Sequence, residues 1–142
     1  MARHQNSDAR AAPGRTGGRL FLVCGALLGL STVAMGAVAA HLPDRLLAEG
    51  GRALLRSAVQ MQGWHAAALL ATGLLAERRD GWLLRLAGAA FLLGILCFCA
   101  GLYALAFNGG SSAAQAIGHA APFGGSVLMA GWLLLALACL RR

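Results

Sequence analysis

LFLVCGALLGLSTVAMGAVAA, residues Leu20 to Ala40, decides the fold: it is a long apolar run without one charged side chain. As an α-helix rising about 1.5 Å per residue it reaches roughly 31 Å, enough to cross a hydrocarbon core of about 30 Å. A signal peptide cut after Ala37-Val38-Ala39 is the rival reading. Its apolar region would be about 7–15 residues, and here further apolar runs follow.

Those runs are Ser57 to Ala76, closed by Glu77-Arg78-Arg79-Asp80; Leu86 to Phe107, closed by Asn108-Gly109-Gly110; and Pro122 to Leu140, closed by Arg141-Arg142. Pro122 suits the first turn of a helix, where its missing N–H costs nothing. The expected fold is an all-α integral membrane protein, an antiparallel four-helix transmembrane bundle. Residues 20–142 form one four-span domain (20–40, 57–76, 86–107 and 122–140). Residues 1–19, with four arginines and no apolar face, are expected to be a flexible basic N-terminal tail rather than a mitochondrial presequence.

Composition agrees. The chain of 142 residues is 58% hydrophobic and 12% charged, with a mean hydropathy of +0.67. A soluble domain carries about 25% charge, so too little polar side chain remains here to cover a water-facing surface. The same figures exclude a disordered chain, and the 20 glycines follow no three-residue period.

All 12 basic residues are arginine. Nine of them lie in the N-terminal tail, between spans two and three, and at the C-terminus, whereas the opposite side has Arg45, Arg52 and Arg56. The positive-inside rule then predicts that both termini are cytoplasmic. Nucleic-acid binding is not expected, because the arginines are not interleaved with aromatics on one face. Cys24, Cys97, Cys99 and Cys139 fall inside apolar runs and read as small hydrophobes. Cys97 and Cys99 stand about 200° apart on a helix and cannot share one ion.

Lipid gives helices no hydrophobic reason to associate, so their contacts rely on small residues. Three seams are expected: Gly25, Gly29, Thr32, Gly36 and Ala40; Ala87, Ala90, Gly94, Cys97, Gly101, Ala104 and Asn108; and Gly124, Gly131 and Ala138. Tight packing is the plainer meaning of such seams, a substrate gap the bolder one.

Ionisable residues at membrane depth are functional candidates by default. His65 is the main one, about 12 Å into a span that starts near Ser57, with Gln62 and Thr72 on its face and Met61 alongside. His41, Tyr103 and His119, joined by Asn108 and Ser126, are expected with it in the non-cytoplasmic half. Three readings of the cluster His41, Gln62, His65 and Tyr103 stay open: a hydrogen-bond network fixing the bundle; a haem or metal held by His41 and His65; a site for a lipid headgroup, a quinone or a partner's helix. Depth weighs against haem or metal, and no resident cofactor is expected. Trp64, Trp82 and Trp132 read as interfacial anchors or packing residues. Asp8, Asp44, Glu49, Glu77 and Asp80 all lie outside the spans, so no carboxylate relay crosses the membrane. No catalytic motif appears, and the protein is not expected to be an enzyme.

Several of these stretches carry a resemblance. Met35-Gly36-Ala37-Val38-Ala39-Ala40-His41 is similar to a Gly-Ala-x-Gly-Ala-His signature. Gln62-Gly63-Trp64-His65-Ala66-Ala67-Ala68-Leu69-Leu70 resembles a Gln-x-x-His-Ala-x-Ala-Leu motif. Gly94 through Phe98 with Leu102-Tyr103 resembles a third, and Pro122-Phe123-Gly124-Gly125 with Gly131-Trp132 a fourth. Together they resemble the domain-of-unknown-function family 423, which includes transmembrane protein 256, over roughly Leu20 to Leu140. The resemblance implies a small multi-pass protein of a bacterial inner membrane, a mitochondrial membrane being the lesser option, and it supplies no reaction. Ala39, Met61 and Cys99-Ala100-Gly101 depart from its glycine, tyrosine and Ser-Gly-Ser, which thins any hydroxyl network. His119 has no counterpart and is incidental.

The expected function is that of a non-catalytic accessory, assembly or binding subunit, with the lipid bilayer and other membrane-protein subunits as partners. An intramembrane ligand-binding protein is the alternative, and an oligomeric channel or transporter the second alternative.

Overall fold

A computed structural model describes residues 13–79 and 81–141, and the described residues are almost entirely helical. Four long helices, α1 (Pro13–His41), α2 (Gly51–Arg78), α3 (Trp82–Asn108) and α5 (Ala120–Leu140), are accompanied by a short α4 (Ser112–Gly118) and a single 3-10 turn at Asp44–Leu46. Part of the expected tail is therefore helix, from Pro13 onward; residues 1–12 lie outside the described residues. The expected loop before span four contains α4, whose N-cap Ser111 accepts from Ala114 N–H at 3.1 Å.

The helix ends follow from local chemistry. Pro43 disfavours helical geometry at Leu42 and stops α1. Gly50 adopts φ 69°, a left-handed turn cheap only for glycine, and launches α2. Arg52 then reaches back to the end of α1. Its guanidinium donates to Ala39 C=O at 2.5 Å and to Leu42 C=O, and its Nε donates to Asp44 at 2.6 Å. Ala48 N–H donates to Ala106 C=O at 2.9 Å. One connection thus satisfies the orphan carbonyls that close both α1 and α3.

Neighbouring long helices are antiparallel. Along α1 and α2, Gly18 meets Glu77, Gly25 meets Leu70, and Thr32 meets Gly63. Gly51 of α2 meets Ala106 of α3, and Cys99 donates to Ala58 C=O further along. On α3 and α5, Gly94 meets Leu128 and Gly101 meets Ala121. Helices α2 and α3 form the central pair. On α2, Val59, Gly63 and Leu70 face α1, Ala58 faces α3, and His65 faces α5. Thus α1 and α5 sit on opposite flanks, without extensive contact between them. The core gathers Phe21, Leu69, Phe91, Ile95, Cys99 and Leu128.

The seams differ in detail from their expectation. A methyl on Gly29 would meet nothing within 4 Å, and Ala40 is exposed, whereas Gly18, Phe21 and Ala39 are buried. On α3, Gly94, Cys97 and Gly101 approach α5. Ala90 and Ala104 are only half-buried and Asn108 is exposed. A stripe drawn for one partner cannot serve a helix that has two.

Three segments are long and apolar enough to cross a membrane: Gly17–His41, Trp82–Asn108 and Ser112–Leu140. Helix α2 is about 42 Å long but more polar, because it carries Arg52, Arg56, Gln60, Gln62, His65 and Thr72. It is also the helix with Gln62, His65 and Thr72 buried. Those three are turned toward protein, the arrangement that makes polar residues tolerable inside a membrane, whereas Arg56 and Gln60 nearer its start are exposed.

Candidate functional site

One turn of α2 carries the centre of the site. Gln62 and His65, three apart, share a face of the helix, and both are buried. The Gln62 amide Nε2 donates to Ser31 Oγ at 2.5 Å and to Leu28 C=O at 3.0 Å, both on α1. Its Oε1 accepts from the Tyr103 hydroxyl of α3 at 2.9 Å. Ser31 and Thr32 also donate to Leu28 C=O, at 3.0 and 2.8 Å. A single amide therefore joins three helices.

His65 joins the fourth. Trp132 Nε1 on α5 lies 3.1 Å from its Nε2, and Met61 C=O lies 2.7 Å from its Nδ1. An indole N–H can only donate and a carbonyl can only accept. These two partners assign the neutral imidazole with its proton on Nδ1. Phe91 completes an aromatic trio: its ring centre is 5.2 Å from that of Trp132, edge-on at 77°, and 6.0 Å from His65. The edge-on placement sets the positive rim of one ring against the negative face of the other.

Of the residues expected to cluster, Gln62, His65 and Tyr103 come together, whereas His41 does not. His41 is exposed at the end of α1, roughly three turns or about 16 Å along the bundle from His65. That separation keeps the two histidines from sharing an ion or a haem iron. Asn108 and His119 are exposed, Ser126 donates to Pro122 C=O at 3.1 Å, and Thr72 donates to Ala68 C=O at 2.8 Å. None of these four joins the cluster. Among the described residues no group of three histidines, cysteines or carboxylates is placed to hold a metal.

His65 stands at the middle of α2, which starts at Gly51 rather than Ser57. Its partners Phe91 and Trp132 also lie well inside their helices. The cluster runs from the middle of α2 toward Tyr103.

The remaining family-motif residues pack helices. A methyl on Gly124 would come 2.5 Å from Phe98 N, and one on Gly131 would come 2.9 Å from the Phe91 ring. A methyl on Gly125 would lie 3.6 Å from the Phe98 ring, and one on Gly36 3.8 Å from Val59. Pro122 occupies the first turn of α5. Trp132 is 48% exposed, yet it is a hydrogen-bond partner rather than an interfacial anchor. Sequence reasoning missed Ser31, Phe91 and Arg52. The hydroxyls of Ser31 and Thr32 inside an uncharged run were the one available signal.

The comparisons agree in kind. Residues 35–125 match a family model described as "Protein of unknown function (DUF423)". The chain is similar to a UPF0382 membrane protein of Haemophilus influenzae, 37% identical over 82% of this chain and 90% of that protein. It is also similar to UPF0382 membrane protein SH2409 of Staphylococcus haemolyticus, 30% identical over 82% of this chain and 92% of that one. The UPF0382 inner membrane protein YgdD of Escherichia coli is 26% identical over 87% of this chain and 91% of its own length. No solved structure matches.

Proposed function

This chain belongs to the DUF423 family and is an inner-membrane protein of bacterial type, and from that premise we propose that it acts by binding, as a non-catalytic accessory or assembly subunit of a larger membrane complex. The observation that carries the reading is the self-sufficiency of its intramembrane polar cluster. Both polar atoms of the Gln62 amide, both ring nitrogens of His65 and the Tyr103 hydroxyl are engaged within the chain. Groups so engaged hold helices in register, and a ligand would have to displace one of those bonds. What the molecule offers to others is its outside. Long apolar faces are exposed on α1 (Val23, Leu27, Leu30) and on α5 (Met129, Leu133), and these are the surfaces that another transmembrane helix contacts.

The proposal includes four crossings with both termini cytoplasmic. Short connections between four antiparallel helices support four crossings, and the arginine asymmetry supports the orientation. The test is purification of the full chain in mild detergent at native expression, followed by mass spectrometry of what accompanies it. Recovery of one membrane protein in constant ratio is the expected result. Repeated recovery of the chain alone overturns the reading.

A further inference from the structure

At the arginine-rich end, the turn between α2 and α3 meets the last turn of α5 around a groove of about 190 Å³. Arg79, Trp82, Leu83, Leu84, Ala138 and Arg141 line it. The guanidinium of Arg141 lies over the Trp82 ring, 6.0 Å from its centre, and the ring is 60% exposed. We propose that this groove binds an anionic phospholipid, its headgroup phosphate held by Arg79 and Arg141 and its acyl chain lying against Ala138 and the α3 leucines.

Three features carry this. The first is charge: Arg79 and Arg141 both line the groove. At the opposite end the groove that takes in Arg52 and Arg56 also takes in Asp44 and Glu49, and Arg52 is ion-paired with Asp44. The second is position. Trp82 opens α3 and Arg141 follows α5, which puts the cations and the indole at the level where the apolar helices begin, the depth of lipid headgroups. The third is the wall, which pairs charge at the mouth with leucine and alanine below it, matching an amphiphile rather than a free anion. The first turn of α3 has no side-chain cap, and its partial positive charge adds to the same end.

The test uses the full chain in an uncharged detergent and counts lipid adducts by native mass spectrometry. Phosphatidylglycerol and phosphatidylcholine with identical acyl chains are offered at equal concentration. Wild type is expected to retain phosphatidylglycerol several-fold better. The double variant Arg79→Ala/Arg141→Ala should lose that preference, a change of about ten-fold, while Arg79→Lys/Arg141→Lys keeps most of it. Ala138→Trp, which fills the groove and leaves the charges, should lose it as well, so the test survives if either variant misfolds. Arg56→Ala, at the other end, should behave as wild type. Equal retention of the two lipids by wild type overturns the proposal, as does a preference that survives both the double alanine variant and Ala138→Trp. Displacement of the lipid by millimolar inorganic phosphate would make this a free-anion site. A change in the number of protein copies in the double variant would assign the groove to a second copy of the chain. Either result also overturns the proposal.

Discussion

The indole N–H of Trp132 donates to Nε2 of His65 at 3.1 Å, and this bond links two helices, α2 and α5, that otherwise barely touch. It lies near the middle of both helices. Together with the Gln62 bonds to α1 and α3, it makes one turn of α2 the point at which all four long helices are tied.

Trp132→Phe keeps an aromatic ring against Phe91 and removes only the donor. His65 Nε2 is then left without a partner. Interhelical hydrogen bonds in membranes contribute about 0.6–2 kcal/mol, and a loss in that range is expected in unfolding from mixed detergent micelles. In a double-mutant cycle with His65→Leu the two losses should not add, and the coupling should recover most of the single effect. Strict additivity would show that the bond contributes nothing.

Gln62→Leu should cost more than Tyr103→Phe. The amide serves α1 and α3 at once, while the phenol contributes one bond to one acceptor. Losses of about 1–3 and about 1 kcal/mol are expected in the same unfolding measurement. Ser31→Ala should be milder than either, because Gln62 retains Leu28 C=O as acceptor. A reversed order would refute the assignment of Gln62 as the shared tie.

The two adjacent motif glycines should respond differently to alanine. A methyl on Gly124 would come 2.5 Å from the backbone N of Phe98 and 3.0 Å from Gly94 C=O, and backbone atoms cannot swing aside. Gly124→Ala should therefore destabilise the α3–α5 pair by about 1–3 kcal/mol. Gly125→Ala makes ordinary contact with the Phe98 ring at 3.6 Å and should be near neutral, or stabilising by up to about 1 kcal/mol through helix propensity. Thermal unfolding of the two variants side by side distinguishes them.

Much of the helical plan was legible because its causes are local. Uncharged apolar runs and the arginine-bearing turns set where most helices run and stop. The pairing of Gln62 with His65 on one face was likewise a matter of spacing within one helix. Their partners were not legible. Ser31, Trp132 and Phe91 meet this turn only once interhelical register is set, and register depends on connection lengths and on which glycines admit a neighbour. The early start of α2 shows the same limit: six further residues place His65 at the middle of its helix. The lower apolarity of α2 has a tertiary cause in part, since Gln62 is bonded to α1 and α3 and His65 to α5.

Arg52 counts toward orientation in the sequence, and in the structure it also holds the end of α1. It joins Ala39 C=O, Leu42 C=O and Asp44 in one fork, a geometry that a lysine's single ammonium cannot reproduce. Both Arg52→Ala and Arg52→Lys should fray the end of α1, read as faster amide exchange at Leu42, Leu46 and Leu47, while amides around His65 keep their protection. Arg56→Ala should leave that exchange unchanged. If Arg52→Lys instead protects those amides as wild type does, charge alone holds the turn and the fork is dispensable.

Nine arginines on one side of the bundle stand against Arg45, Arg52 and Arg56 on the other. Fusions of a fluorescent reporter that folds only in the cytoplasm should therefore be bright at both ends of the chain, and phosphatase fusions at both ends should be inactive. A phosphatase fusion in the connection between α3 and α4, after Gly110, should be active. Arg78 and Arg79 lie at the opposite end of the bundle from Gly110, so replacing both by glutamine should narrow the bias without unfolding the core. Active phosphatase at both termini of the wild-type chain would reverse the orientation, and activity at one terminus only would require an odd number of crossings, with α2 lying outside the hydrocarbon core.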